Sequence, residues 1–61
     1  MPKLTLTCAI DNRDTLVVYE DMSNGVEISM FNNKEILCSI VVSFEDLPKL
    51  IEHLQAQLTN Q

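Results

Sequence analysis

The chain has 61 residues, 46% apolar and 21% charged, with nine Asp and Glu against four Lys and Arg and a formal net charge of −5. That length gives a single domain spanning 1–61 with no linker, and the apolar share excludes a disordered tail. The charge argues against nucleic acid as a direct partner, because Lys3, Arg13, Lys34 and Lys49 alone could neutralise phosphates.

Leu4, Leu6, Cys8 and Ile10 alternate with Lys3, Thr5, Thr7 and Ala9, the period-two signature of a strand with one buried face. Asp11-Asn12-Arg13-Asp14 is a polar turn cluster. Thr15 to Met22, with Leu16, Val17, Val18 and Tyr19, reads as a second strand rich in β-branched and aromatic residues. Ser23-Asn24-Gly25 is the strongest turn signal, since Asn and Gly tolerate the positive φ of tight hairpins. Val26, Ile28 and Met30 alternate with Glu27, Ser29 and Phe31 as a third strand, and Asn32-Asn33-Lys34 turns the chain into a fourth. That strand, Glu35 to Phe44, is the longest apolar run. Leu47, Leu50, Ile51, Leu54 and Leu58 then recur at the spacing of an amphipathic helix. Ser43 with Asp46 resembles a capping box, and Glu45 and Asp46 suit the positive end of the helix dipole. Pro48 is comfortable only in a first turn, so the helix starts between Ser43 and Leu47, and Thr59-Asn60-Gln61 should fray.

The main apolar positions of all four strands are even-numbered, from Leu4 to Phe44. Opposed residues of an antiparallel pair share a face, so keeping these together requires an even index sum in every hairpin. That selects odd-length loops: Asn12 to Asp14, Ser23 to Gly25 with Gly25 left-handed, and Asn32 to Lys34. The expected fold is α+β: a four-stranded antiparallel meander sheet with one C-terminal helix packed across its even face (ββββα). Glu20, which falls on that face, is the weak point of the scheme.

The odd face is then left over. The expected register gathers Val17, Tyr19, Phe31, Leu37 and Val41 into one patch, with Asp21 and Glu27 paired at its end. A contiguous patch holding both Tyr and Phe marks a contact surface. In a meander the fourth strand is an edge, apolar on both faces and guarded only by Glu35 near its start, which invites pairing with another chain. These seven residues form the candidate partner-binding set. A chain this short hides only ~60% of its unfolded surface, so association as a homodimer through this face or edge is expected.

Nothing in the sequence assembles a catalytic kit. His53 is the only histidine, and no nucleophile or orienting acid is patterned around it. Cys8, Cys38 and His53 match no zinc spacing, and Gly25, the only glycine, cannot build a phosphate-cradling loop. The expectation is therefore no enzyme, no metal and no cofactor. The cysteines read as buried reduced thiols, since strands one and four of a meander lie ~14 Å apart, too far for a disulfide. No apolar run approaches the ~20 residues of a membrane span, and Met1-Pro2-Lys3-Leu4-Thr5 lacks a signal-peptide layout, so a cytoplasmic protein without membrane contact is expected.

The function expected is a non-catalytic protein-interaction module, a small acidic inhibitor or adaptor of the kind mobile elements direct at host factors. The spread of the acids suits a solubilising surface or one aimed at a basic partner. Four antiparallel strands and a C-terminal helix that dimerise also resemble, in layout alone, the Whirly-type and Pur-type single-strand binders. On that alternative Tyr19 and Phe31 would act as stacking platforms, although Asp21 and Glu27 border them where a basic funnel is needed. A structural subunit of a larger assembly is the third alternative.

Overall fold

The computed structural model describes residues 3–60, without the side chain of Asp21; the fraying expected at Gln61 lies outside the described residues. Strands β1 (Leu4–Thr7), β2 (Asp14–Asp21), β3 (Gly25–Asn32) and β4 (Glu35–Ser43) form one antiparallel sheet, followed by helix α1 (Leu47–Thr59). The strands lie in the order β1-β2-β3-β4, so the α+β class and the ββββα meander are those read from the sequence.

Most even-numbered apolar residues do share a face. Leu6, Leu16, Met30 and Cys38 make one row across the sheet, and Leu4, Val18, Ile28 and Ile40 make the next. The turns that achieve this differ from the odd-loop scheme. Residues 8–13 form the first loop in place of Asn12 to Asp14, and Leu4 pairs with Val18, so Ile10 lies beyond the strand and is left 96% exposed. Short polar contacts close this loop before the alternation runs out. The Cys8 N–H donates to the Asp14 carbonyl (2.9 Å), the Asp14 N–H to the Asp11 carbonyl (3.0 Å), and the Arg13 N–H to the Asp11 carboxylate (3.0 Å).

In the middle hairpin Val17 opposes Ser29 rather than Phe31, two positions from the expected register. An irregularity between Val18 and Asp21 then moves the pairing to Asp21 opposite Val26, and the Met22 N–H closes the turn on the Gly25 carbonyl (2.6 Å). This takes Glu20 out of the even-face scheme and leaves it exposed. It also places Asp21 and Glu27 opposite different partners, Val26 and Val41, so the expected pairing of the two acids is not formed. Gly25 is close to extended (φ 159°) rather than in a left-handed turn. What demands a glycine there is close approach: a Cβ would fall on the Val42 carbonyl of β4.

The third turn is Asn33–Lys34, two residues long, with positive φ at both (50° and 74°), the type I′ geometry that matches strand twist. An even-length turn slips parity by one, and an extra residue in β4 restores it. Phe31 opposes Ile36, Met30 opposes Cys38, and Leu37 is the unpaired residue between them.

The helix begins inside the expected window, with Asp46 as N-cap and Pro48 in the first turn. Half of the expected capping box is present: the Asp46 N–H donates to Ser43 Oγ (3.3 Å), while Asp46 makes no side-chain cap bond and instead meets Lys49 Nζ at 3.4 Å. Thr59 is still helical, its hydroxyl donating to the Gln55 carbonyl (3.0 Å), so fraying does not reach it.

The expected packing of α1 across the even face is where the structure departs most. No residue of α1 is buried, and the helix makes no extensive contact with any strand. Leaving β4 through a three-residue connection, Phe44 to Asp46, it is carried clear of the face it was expected to cover. Leu54 stays 54% exposed on the helix and Ile40 61% exposed on the sheet. Among the described residues Val17 is the one buried apolar side chain, with Ser29 buried beside it.

Candidate functional site

Two concavities lie against the sheet, and Thr15 and Phe31 line both. On the even face Leu6, Leu16 and Met30, with Leu37 from the β4 bulge, line an open apolar hollow of ≈ 290 Å³. The bulge explains why Leu37 is here, since an inserted residue re-aims its neighbours relative to a strict alternation. Cys8 lies on the rim of this hollow, and both cysteines are free and exposed, not buried as expected. They lose cover for the same reason as the rest of the face, because α1 does not lie over it.

On the odd face, Thr5, Val17, Ser29 and Ser39 make the central row. Ser29 Oγ donates to Ser39 Oγ (2.9 Å), and Ser39 Oγ donates to Glu27 Oε2 (2.7 Å). The buried Ser29 hydroxyl is thereby satisfied, and Glu27 is engaged within its own sheet. Beside this row Val17, Tyr19 and Phe31 line a hollow of ≈ 570 Å³ together with Lys3, Arg13 and Lys34. Three of the chain's four cationic side chains therefore surround its tyrosine and one of its two phenylalanines.

The electrostatics of that hollow are specific. Lys3 Nζ stands 5.8 Å from the centroid of the Tyr19 ring, within cation–π range. Arg13 is held by Asp11, which accepts from Nε at 3.1 Å and from the terminal guanidinium nitrogen at 2.9 Å. The Arg13 side-chain bonds hold the Asp11 carboxyl below its ordinary value, helped by the Arg13 backbone N–H. Reciprocally, Asp11 raises the guanidinium. Asn32 Nδ2 donates to Asp14 Oδ1, and the Asn33 N–H to the Arg13 carbonyl (2.8 Å), tying the third turn to the first loop.

No family model matches the chain, and no curated protein or solved structure does. Its site must be judged by geometry alone.

Of the seven residues singled out from the sequence, the structure keeps Val17, Tyr19 and Phe31 together. Leu37 shares the other hollow with Phe31 and lies apart from Val17 and Tyr19, Val41 is 48% exposed on β4, and Glu27 is tied to Ser39. The side chain of Asp21 lies outside the described residues. Lys3, Arg13 and Lys34 were missed as a group, because only strand register brings residues so far apart in sequence around one hollow. His53 sits with Lys49, Glu52 and Ala56 on the side of α1 opposite the leucine stripe, and it is exposed. Among the described residues no three His, Cys, Asp or Glu are placed to hold a metal ion, and no helix is long and apolar enough to cross a membrane.

Proposed function

We propose that the chain is a non-catalytic protein-interaction module, a small acidic cytoplasmic inhibitor or adaptor whose apolar surface exists to be covered by protein. One observation carries this reading. Val17 is the single buried apolar side chain among the described residues, while Leu4, Leu6, Met30 and Ile40 of the sheet rows and Leu50, Ile51, Leu54 and Leu58 of the helix stripe are exposed. A contiguous apolar surface of that extent is a contact surface, because water disfavours leaving it uncovered. Photo-crosslinking in intact cells tests it. A benzophenone amino acid at Ile40, on the open face, should give adducts with protein, and one at Glu52, on the polar side of α1, should give none. Equal labelling at the two positions, or none at Ile40, defeats the proposal.

A second reading has its own observation. The hollow that gathers Lys3, Arg13 and Lys34 around Tyr19 and Phe31 supplies both the cations and the stacking faces that single-stranded nucleic acid requires. Neutralising three phosphates on a single strand gives a log–log salt slope of about −2, so affinity should fall roughly 20-fold between about 50 and 200 mM salt. Fluorescence anisotropy with a short oligonucleotide measures this directly. No binding at the lower salt concentration rules the reading out.

A further inference from the structure

We infer that the open even face of the sheet is covered by α1 of a second copy, the two chains exchanging helices about a two-fold axis. This rests on the reading that the exposed apolar surface is contact surface, and it names the occupant.

Two surfaces of each chain lie open, and they are complementary. The sheet offers the rows Leu6–Leu16–Met30–Cys38 and Leu4–Val18–Ile28–Ile40, with no charged residue in either. The helix offers the stripe Leu47, Leu50, Ile51, Leu54 and Leu58, with Lys49, Glu52 and His53 gathered on the opposite side. From Leu47 to Leu58 that stripe rises ~16 Å, close to the ~14 Å between the outer strands of a four-stranded sheet. The rows and the stripe carry no charge themselves, and the acid that lines the even-face hollow, Asp14, already accepts from Asn32 Nδ2.

Surface area sets the scale. A compact monomer of 6.9 kDa exposes about 4,000 Å², whereas this chain exposes 5192 Å², about 1,200 Å² more. Its Cα radius of gyration is 12.8 Å, against about 10.5 Å for a compact chain of the same length. Two copies that hide this surplus from each other bury about 2,400 Å² together, which falls in the range of obligate homodimers.

The second copy is preferred to an unrelated protein because it answers both needs at once. A 13-residue helix is marginal on its own in water, so α1 needs a cover that its own sheet does not supply. A second copy brings a sheet face for α1 and a helix for the sheet, and the reciprocal contact closes with nothing left over.

Sedimentation equilibrium of the full chain at low micromolar concentration should give twice the 6.9 kDa chain mass. In a dimer mixed from labelled and unlabelled chains, isotope-filtered NOEs should connect Leu54 methyls of one chain to Ile40 methyls of the other. Lys49→Glu, on the polar side of α1, should leave the mass unchanged. A 6.9 kDa species overturns the inference, as does a dimer whose Leu54–Ile40 NOEs all lie within one chain, or one that Lys49→Glu dissociates. A monomer that still cross-links through Ile40 to another protein removes the exchange but leaves the interaction module standing; a monomer without that cross-link ends both.

Discussion

Ile40 and Val41 are neighbours on β4 that point to opposite faces, so a matched pair of truncations reads which face is covered. Ile40 belongs to the even-face row with Ile28, Val18 and Leu4, and 61% of it is exposed in the single chain; Val41, opposite Glu27, is 48% exposed. Ile→Ala removes three carbons, ~2.4 kcal/mol for full burial at ~0.8 kcal/mol each. Since 61% of Ile40 is uncovered in the single chain, the proposed exchange would gain about 1.5 kcal/mol of that on association. Two such sites in a symmetric dimer give ~3 kcal/mol, a loss of affinity on the order of 100-fold. Val41→Ala lies outside the exchanged contact and should leave the dimer dissociation constant within about twofold, the scale of a surface substitution. Sedimentation velocity over a concentration series measures both, with far-ultraviolet circular dichroism verifying the fold. Equal dissociation constants for the two variants, or an unchanged one for Ile40→Ala, would refute the assignment of the even face to the interface.

Lys34→Gly should stabilise the protein by about 1 kcal/mol, raising the thermal midpoint by several degrees, because Lys34 occupies the second positive-φ position of a type I′ turn where glycine is unstrained. A lower midpoint would mean the turn is not strained. In urea denaturation Ser39→Ala should cost more than Ser29→Ala. The first leaves the buried Ser29 hydroxyl without its acceptor, ~1–3 kcal/mol, and the second removes that hydroxyl altogether, ~1 kcal/mol; the reverse order contradicts the hydrogen-bond chain. The Asp11 carboxyl titrates lower in the folded chain than in the unfolded one. Its contribution is therefore complete above the unfolded value and is lost as pH falls through the lowered folded one. Asp11→Asn should flatten that acidic limb and leave the dependence above neutral pH unchanged. An unaltered acidic limb would show that the Arg13 contact does not persist in solution.

The strands, their order and the start of α1 were legible because each rests on local signals: alternation, turn residues and a proline that tolerates only a first turn. The register was harder to read. Strict parity assumes uninterrupted strands, yet the chain uses an even-length turn at Asn33–Lys34 and restores parity with Leu37. Neither residue of that turn is glycine, so no sequence signal separates the two-residue turn from a three-residue one. Ile10 misled for a different reason. It continues the alternation of β1 flawlessly, but the contacts around Asp11 end the strand before it, and those depend on side-chain geometry rather than on pattern. The basic rim of the odd-face hollow was invisible because Lys3, Arg13 and Lys34 come from three separate segments. The even face was expected to lie under α1 because periodicity shows which residues seek cover, not whether the chain's own helix provides it.

The meander order also governs how the protein assembles in time. Every strand pairs with its neighbour in sequence, across loops of only a few residues. Such contacts have low loop-closure entropy, and individual hairpins zip on the ~1–10 μs scale. Sheet formation is thus an intrachain event whose rate is independent of concentration. Helix exchange must await encounter with a second chain, and its rate rises in proportion to how many chains are present. On the proposed exchange, refolding would separate into a fast unimolecular phase and a slower bimolecular one. The interval between them, when the finished sheet face is still bare, is the period of greatest exposure to aggregation.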